Sequence, residues 1–223
     1  MTFSEYAAAW SRLHGGYPLA SASSLVRGWV RFAYAGGSRL ARAGAGPDAV
    51  TTAGLVLCLA VPFAVLPGTA GGLVLAGLLV TAAAVADGFD GAVAVITGRA
   101  TRTGFVYDSA ADRVGEVAWL AGFWLAGVPG WLAAGCGAVS WLHEYVRARA
   151  AAAGLTGLGA VTVGERPTRV ATAVCGFLLG GAAYPVVGAE AGRAVPVVCA
   201  AAWLLLAVVG VAQLAAAVRR DLS

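Results

Sequence analysis

Aspartates concentrate in one short stretch of an otherwise apolar chain. The segment DGFDGAVAVITGRATRTGFVYDSAAD (87–112) holds four of the six aspartates in 223 residues, of which 60% are hydrophobic and 12% charged. These four are Asp87, Asp90, Asp108 and Asp112. Carboxylate oxygens are the ligands that hard divalent cations such as Mg²⁺, Mn²⁺ and Ca²⁺ prefer. The stretch therefore indicates a site for one or two such ions, and a pair of ions is typical of phosphoryl transfer.

The spacing of the aspartates predicts two helical stripes. Residues three, four and seven positions apart share one face of a helix. One stripe comprises Asp87, Asp90, Gly91 and Ala94, and the other comprises Gly104, Asp108, Asp112 and Glu116. A short loop joins the two helices, so we expect antiparallel neighbours whose carboxylates converge on one cavity. A single aspartate could instead cap a helix or reach water, but four of them with glycines on the same stripes favour a ligand site.

The rest of the chain predicts a membrane protein built of helices. A soluble domain carries about 25% charged residues, which is twice the fraction in this chain. Apolar runs of roughly 20 residues, enough to cross a bilayer, recur along the sequence. We predict an all-α, polytopic fold with six transmembrane helices at about 49–66, 71–95, 105–126, 130–147, 169–188 and 194–217.

The basic residues predict how these helices are oriented. All fifteen are arginines, and they concentrate before the first span, in alternate loops and at the C-terminus. Arginine accumulates on the cytoplasmic side of membrane proteins, so we predict that both termini and the acidic cavity face the cytoplasm at the cell membrane. Arginines scattered beside membrane helices suit anionic membrane lipid, and no nucleic-acid partner is expected.

Residues 1–46 predict an N-terminal interfacial segment, and residues 47–223 predict the membrane domain. Thr2 and Glu5 have the spacing of a capping box. Aromatic and apolar residues then recur at helical spacing opposite arginines, a pattern typical of amphipathic helices that lie in the membrane interface. The alternative is an ordinary cytosolic helix that packs on the core.

The acidic segment matches the signature of a known family without insertion. The pattern D-x-x-D-G-x-x-A, nine residues and G-x-x-x-D-x-x-x-D runs from Asp87 to Asp112. It resembles the signature of the CDP-alcohol phosphatidyltransferase family, and the resemblance extends over about residues 45–215. Family members have six transmembrane helices, cytosolic termini and an N-terminal interfacial segment. The resemblance implies that a CDP-linked lipid, usually CDP-diacylglycerol, transfers its phosphatidyl group to an alcohol and releases CMP in phospholipid biosynthesis.

The same resemblance implies a role for each motif residue. Asp87, Asp90 and Asp108 would ligate Mg²⁺ or Mn²⁺, and Asp112 would serve a second ion. Asp112 would also be the catalytic general base that takes the proton of the acceptor hydroxyl. The CDP-lipid would bind against Asp87, Gly91, Ala94, Gly104 and Asp108. Relatives are homodimers, so a homodimer is expected on the same ground.

One position departs from the family pattern. An arginine normally follows the motif alanine, and this chain has Val95 there. The change removes any contact that the arginine makes to the diphosphate or to a neighbouring carboxylate. The alternatives are that Arg99 or Arg102 supplies the missing charge, or that the activity is altered or lost.

A second segment, HEYVRARAAAAGLTGLGAVTVGERPTR (143–169), predicts the acceptor site. It resembles the region of bacterial phosphatidylinositol-phosphate synthases in which an ARA stretch precedes ERxxR, and in those relatives the arginines hold the phosphate of inositol phosphate. The acceptor-binding residues would be Arg147, Arg149, Arg166 and Arg169. A phosphate-bearing alcohol, inositol phosphate or glycerol phosphate, is therefore expected. The alternative is that these arginines only mark the cytoplasmic side. His143 is expected to be an interface or packing residue and not a catalyst, and Glu116 is expected to be a partner for a buried polar group such as Arg113.

Two other functions fit the same residues. A divalent-cation transporter would also place carboxylates in a helix bundle, although the last three predicted spans contain almost no acidic residue and the motif has no internal repeat. The other is a relative that binds metal or nucleotide without catalysis, because Val95 breaks the family pattern.

Overall fold

The protein is all-helical in a computed structural model that describes residues 1–13, 16–155 and 162–222. The described residues contain no β-strand and form eight α-helices, as expected for an all-α fold. The helices are α1 (Phe3–Leu13), α2 (Ser24–Arg42), α3 (Pro47–Val65), α4 (Ala70–Thr97), α5 (Arg102–Leu125), α6 (Gly130–Ala152), α7 (Arg166–Val187) and α8 (Ala189–Leu222). A short 3₁₀ turn over Leu19–Ser21 separates α1 from α2.

Local signals set the ends of the two helices that carry the acidic motif. α4 ends at Thr97 and is followed by Gly98, whose φ of +66° lies in the left-handed region. The backbone N–H of Arg99 donates to the carbonyl of Ala94 at 3.0 Å, which is a glycine-based C-cap. α5 begins after Thr101, whose hydroxyl accepts the backbone N–H of Gly104 at 2.9 Å. The cap and the start signal leave only a short turn between the motif helices.

Four of the helices are long and apolar enough to cross a membrane. They are α3, α4, α7 and the part of α8 up to Asp221, and they make this chain an integral membrane protein. The remaining two predicted spans correspond to α5 and α6, which are of similar length but are more polar. α5 carries four charged residues beyond its first turn, and α6 carries charged residues in its second half. The six-span topology stays a prediction for these two helices.

The chain divides into two compact units, and the first one carries the acidic motif. This unit comprises Met1–Val56 and Ala82–Asp112. The predicted capping box forms at its N-terminus, since Thr2 N–H donates to the Glu5 carboxylate at 2.6 Å and Glu5 N–H donates to the Thr2 hydroxyl at 3.4 Å. The bonds from the backbone and hydroxyl of Thr2 lower the pKa of Glu5. The predicted boundary at residue 46 falls just before α3. The division into an interfacial segment over 1–46 and a membrane domain over 47–223 stays a prediction.

The N-terminal helices of this unit pack against α4. A buried apolar cluster joins the three helices through Tyr6, Val30, Ala33 and Ala92. α1 therefore packs on a core. This contact agrees with the alternative prediction, in which the N-terminal helix is an ordinary cytosolic helix packed on the core. α2 also presents large apolar side chains outward, because Leu25 is 82% and Phe32 is 48% exposed. An apolar outer face of this kind is what an interfacial helix needs.

The second unit comprises Leu57–Thr81 and Arg113–Ser223. Within it, α8 packs against both α6 and α7. Its core contains a series of aromatic rings, in which Phe123 lies 4.7 Å from Phe177 and 6.2 Å from Trp203 between ring centroids. These contacts hold the helices that carry the predicted acceptor arginines.

Candidate active site

Three of the four motif aspartates lie together in the first unit. One carboxylate oxygen from each of Asp87, Asp90 and Asp108 lies within 4.8 Å of the other two. Asp90 is buried, and the other two are half-buried. α4 supplies the first two residues and α5 supplies the third, so the two helical stripes meet at these side chains.

The spacing of the three carboxylates suits a divalent cation. Mg²⁺ and Ca²⁺ bind oxygen ligands at about 2.0–2.6 Å, so two oxygens on one ion lie no more than about 5 Å apart. The observed limit of 4.8 Å meets this condition. Three carboxylates at the end of apolar helices also repel one another, and a bound cation would offset that repulsion. The donor set is therefore that of a divalent-cation site.

Asp112 lies one helical turn beyond Asp108 on α5 and is half-buried. Among the residues that the structure describes, it is not part of the three-carboxylate group. Its two expected roles, at a second ion and as general base, stay predictions.

Thr51 is a site residue that the sequence did not single out. It lies on α3 and is 7% exposed. Its hydroxyl donates to Oδ2 of Asp90 at 2.7 Å. A hydrogen bond of this kind orients a carboxylate and leaves its other oxygen for a metal ion. Only the packing of α3 beside α4 brings the two residues together, so no sequence pattern could have paired them.

A cavity of about 220 Å³ opens beside two of the carboxylates. Its lining includes Asp90, Asp108 and the three predicted small residues Gly91, Ala94 and Gly104. A Cβ at Gly91 would meet nothing within 4 Å, so this glycine leaves open space in the cavity. A Cβ at Gly104 would lie 3.3 Å from Oδ1 of Asp48, so this glycine leaves room for another lining carboxylate.

The same cavity distinguishes the two arginines that could replace the motif arginine. Val95 and Arg99 both line it, whereas Arg102 does not. Arg99 is the only basic residue among its described lining residues, which include three aspartates. An arginine beside an acidic cavity is placed to contact the phosphates of an anionic ligand. The geometry therefore favours Arg99 as the substitute.

Asp87 lines a second cavity of about 250 Å³ in the same unit. The two cavities adjoin, because both are lined by Leu13, Gly91 and Val95. The carboxylate group thus contributes to the walls of both.

Arg169, one of the four predicted acceptor-binding arginines, is buried in the second unit. It is 1% exposed. Its guanidinium donates to Glu116 at 2.8 Å, to Glu144 at 2.5 Å and to the Gly164 carbonyl at 2.9 Å. Glu116 also pairs with Arg113 at 3.1 Å, so the expected pairing of these two residues is confirmed. The sequence pattern did not predict that Arg169 is the more deeply buried partner of Glu116.

The other three arginines that were predicted to bind the acceptor have different surroundings. Arg147 forms an ion pair with Glu165. Arg149 is exposed and Arg166 is half-buried. Glutamates of the same unit therefore offset the charges of Arg147 and Arg169. Contact of any of the four with an acceptor stays a prediction.

His143 has the packing role that was expected for it. It is fully buried and shares a hydrogen bond of 2.8 Å with the hydroxyl of Thr162. Both the backbone N–H and the hydroxyl of Thr162 donate to Glu165 at 3.1 Å. The network connects α6 to the start of α7 within the second unit. Residues 156–161 of the predicted acceptor segment lie outside the described residues.

Known proteins share the sequence pattern and the fold. The family model named CDP-alcohol phosphatidyltransferase matches residues 45–215. The phosphatidylinositol phosphate synthase of Mycobacteroides abscessus is 36% identical over 152 residues, which are 65% of this chain and 67% of that protein. The crystal structure of the Mycobacterium tuberculosis phosphatidylinositol phosphate synthase with CDP-DAG bound has a TM-score of 0.63 and 26% identity, and the match covers 82% of this chain and 94% of that one. The structure of the same synthase with manganese and citrate has a TM-score of 0.61 and 27% identity over 80% and 86% of the two chains.

Proposed function

The chain belongs to the CDP-alcohol phosphatidyltransferase family, and from this premise we propose that it transfers the phosphatidyl group of CDP-diacylglycerol to an alcohol in phospholipid biosynthesis. The observation that carries the proposal is the group of Asp87, Asp90 and Asp108 oxygens within 4.8 Å of one another. Asp90 and Asp108 line a cavity whose small lining residues leave room for a nucleotide. A solved relative with 26% identity has CDP-DAG bound, which supports the choice of donor.

We assign the three clustered aspartates to a Mg²⁺ or Mn²⁺ ion and Asp112 to a second ion. A solved relative contains manganese, which supports this assignment. When bound, the ions neutralise charge on the diphosphate and stabilise the oxygens of the bonds that form and break. Thr51 holds the carboxylate of Asp90 in place for this purpose.

The overall reaction exchanges a phosphoanhydride bond for a phosphate ester bond. The acceptor oxygen becomes bonded to the phosphorus of the phosphatidyl group, the bond from that phosphorus to CMP breaks, and CMP leaves. Asp112 takes the proton of the acceptor hydroxyl as general base. Gly91, Ala94 and Gly104 let the nucleotide approach the helix backbones, and Arg99 contacts the diphosphate.

The acceptor in this proposal is a polyol or sugar phosphate, with inositol phosphate first and glycerol phosphate second. A relative with 36% identity is named phosphatidylinositol phosphate synthase, which supports that order. We assign direct phosphate contact to Arg149 and Arg166. Arg147 and Arg169 hold the start of α7 through their glutamate partners. The alternative class of acceptor is a non-phosphorylated alcohol. It is the second candidate function because the ion pairs of Arg147 and Arg169 reduce the positive charge available to a phosphate on the acceptor.

The arginines near both chain ends support a location for the enzyme. We place it in the cell membrane with both termini and the carboxylate cavity on the cytoplasmic side, because arginines flank the chain ends. We also propose a homodimer, by analogy with the family. Light scattering of the purified protein in detergent tests the dimer, and labelling of cysteines introduced at each terminus tests the orientation.

Release of CMP tests the activity. The purified chain in lipid nanodiscs is incubated with CDP-diacylglycerol, Mg²⁺ or Mn²⁺, and either inositol phosphate, glycerol phosphate, inositol or serine. We expect CMP and a lipid product with a phosphorylated acceptor, and neither product after chelation of the metal. Metal binding without release of CMP from CDP-diacylglycerol in the presence of any of these acceptors would identify a non-catalytic relative and overturn the proposal.

Variants separate the proposed roles. Asp112→Asn is expected to keep CDP-lipid binding and lose turnover, and near-normal product formation would remove Asp112 as the base. Arg149→Ala and Arg166→Ala are expected to raise the KM of the phosphorylated acceptor selectively. Arg193→Ala, at an exposed position on α8, is the matched control. Equal effects on the KM of both substrates would instead indicate a fault in folding.

A further inference from the structure

The segment that precedes α7, residues 162–165, contacts the last helix of the chain at two points. Gln213 on α8 accepts the backbone N–H of Val163 through Oε1 at 3.0 Å. Three residues earlier on the same helix, a Cβ at Gly210 would lie only 2.6 Å from the Cα and the backbone N of Gly164. Residues three apart share a helix face. One face of α8 therefore holds this segment by a hydrogen bond and by close backbone contact.

Gln213 is an unusual residue for its position in the sequence. It is the only amide or charged side chain between Arg193 and Arg219, on a helix that is long and apolar enough to cross a membrane. A polar side chain on such a helix costs free energy unless it has a hydrogen-bond partner. The N–H of Val163 lies in the turn before α7 and needs an acceptor from outside a helix. The bond between them satisfies both groups.

Other elements of the second unit hold the same segment from different sides. Thr162 shares a hydrogen bond of 2.8 Å with His143 on α6. The carbonyl of Gly164 accepts from Nε of Arg169 on α7 at 2.9 Å. Arg166 is the first residue of α7 and follows the segment directly. The path of residues 162–165 therefore determines where the Arg166 side chain begins.

We propose that Gln213 is a positioning residue for the acceptor, which it serves by holding the segment that places Arg166. This role rests on the proposed function, in which Arg166 contacts the phosphate of the acceptor. Gln213 itself touches the backbone of Val163 and not the acceptor. Gly210 supports the same role, because a side chain there would push Gly164 away from α8. An apolar helix thus contributes to the choice of a phosphorylated acceptor.

The test compares Gln213→Leu with Gln213→Glu in the full chain in nanodiscs. Leucine suits a membrane helix but accepts no hydrogen bond, whereas glutamate keeps an acceptor oxygen at the same place. We expect Gln213→Leu to raise the KM of inositol phosphate about 2- to 10-fold, the effect of one net hydrogen bond. The KM of CDP-diacylglycerol should stay at the wild-type value, and Gln213→Glu should restore the KM of inositol phosphate.

A second pair of variants tests the backbone contact. Gly210→Ala should also raise the KM of inositol phosphate, because its Cβ would displace Gly164. The matched control is Gly135→Ala on α6, where a Cβ would lie 3.6 Å from the Leu204 side chain in ordinary contact. The control should keep the wild-type KM for both substrates.

The double variant of Gln213→Leu with Arg166→Ala separates positioning from a general loss of structure. If Gln213 acts through Arg166, its loss adds nothing to the KM of Arg166→Ala. An unchanged KM in Gln213→Leu, an equal rise for both substrates, no rescue by glutamate or additive effects in the double variant would overturn the assignment. The proposed function fails by a different result, which is no CMP release from the wild-type chain. Calorimetry of inositol phosphate binding to the same variants then tests Gln213 by the same criteria.

Discussion

Replacement of Arg169 is expected to destabilise the second unit strongly. Its side chain and that of Glu116 are each 1% exposed, and they are 2.8 Å apart. A second carboxylate, Glu144, accepts from the same guanidinium at 2.5 Å. Arg169→Met keeps much of the length and apolar contact of the side chain but removes its charge and all its hydrogen-bond donors. Two carboxylates would then lose their main partner.

The magnitude follows from this burial. Removal of one member of a buried ion pair costs about 3–5 kcal/mol, because the other charge stays buried without its partner. Glu116 would keep Arg113 at 3.1 Å, so we take the lower end, about 3 kcal/mol. In a chain of this size each kcal/mol lowers the melting temperature by about 2–4 °C, which gives a decrease of about 6–12 °C.

Thermal unfolding of the purified protein in detergent measures this decrease. The matched control is Arg147→Met, because Arg147 and Glu165 also form an ion pair but are 30% and 24% exposed. Solvent screens this half-buried pair and brings its contribution toward the roughly 0–1 kcal/mol of a surface pair, so the control should melt within about 4 °C of the wild type. The double variant Arg169→Met with Glu116→Gln should regain part of the loss, since the most buried carboxylate is then neutral.

The opposite outcome would change the assignment of Arg169. If Arg169→Met melts like the control while the KM of the phosphorylated acceptor rises, the guanidinium serves the ligand and its structural role is refuted.

Three further predictions concern the first unit. Thr51→Val should weaken Mn²⁺ binding about 10- to 100-fold in calorimetry, because it removes the hydrogen bond that orients Asp90, and equal affinity would show that no orienting partner is needed. Arg99→Gln should raise the KM of CDP-diacylglycerol while Arg102→Gln should not, since only Arg99 lines the cavity; similar effects of both would indicate a general charge effect. The pKa of Glu5 is lowered by its capping-box bonds, so these bonds stabilise α1 above the unfolded pKa and are lost as the pH falls through the folded value. Hydrogen exchange over residues 3–13 should therefore speed up at acidic pH and, in Glu5→Ala, already at neutral pH, and exchange independent of pH after correction for intrinsic rates would contradict this.

The helices of the membrane domain could be predicted because their signals are local. Apolar runs and capping residues act within a few positions of the chain, and each predicted span corresponds to one helix from α3 to α8. The grouping of Asp87, Asp90 and Asp108 has the same origin. Helical spacing places the carboxylates of each helix on one face. Because the turn after Gly98 is short, α5 runs back beside α4 and brings the two faces together.

Contacts between distant segments could not be predicted in this way. Thr51 and Asp90 are 39 positions apart, and Glu116 and Arg169 are 53 apart, so neither pair lies within the reach of a helical period. Arg99 lies in the turn between α4 and α5, and Arg102 is the first residue of α5. The two are so close in sequence that only the structure shows which of them lines the cavity, and it is Arg99. Local sterics and hydrophobic periodicity thus determine the helices and the acidic stripes. Which polar group is buried depends on how helices that are far apart in sequence pack together. The same packing decides which partner forms the hydrogen bond or ion pair that the buried group needs.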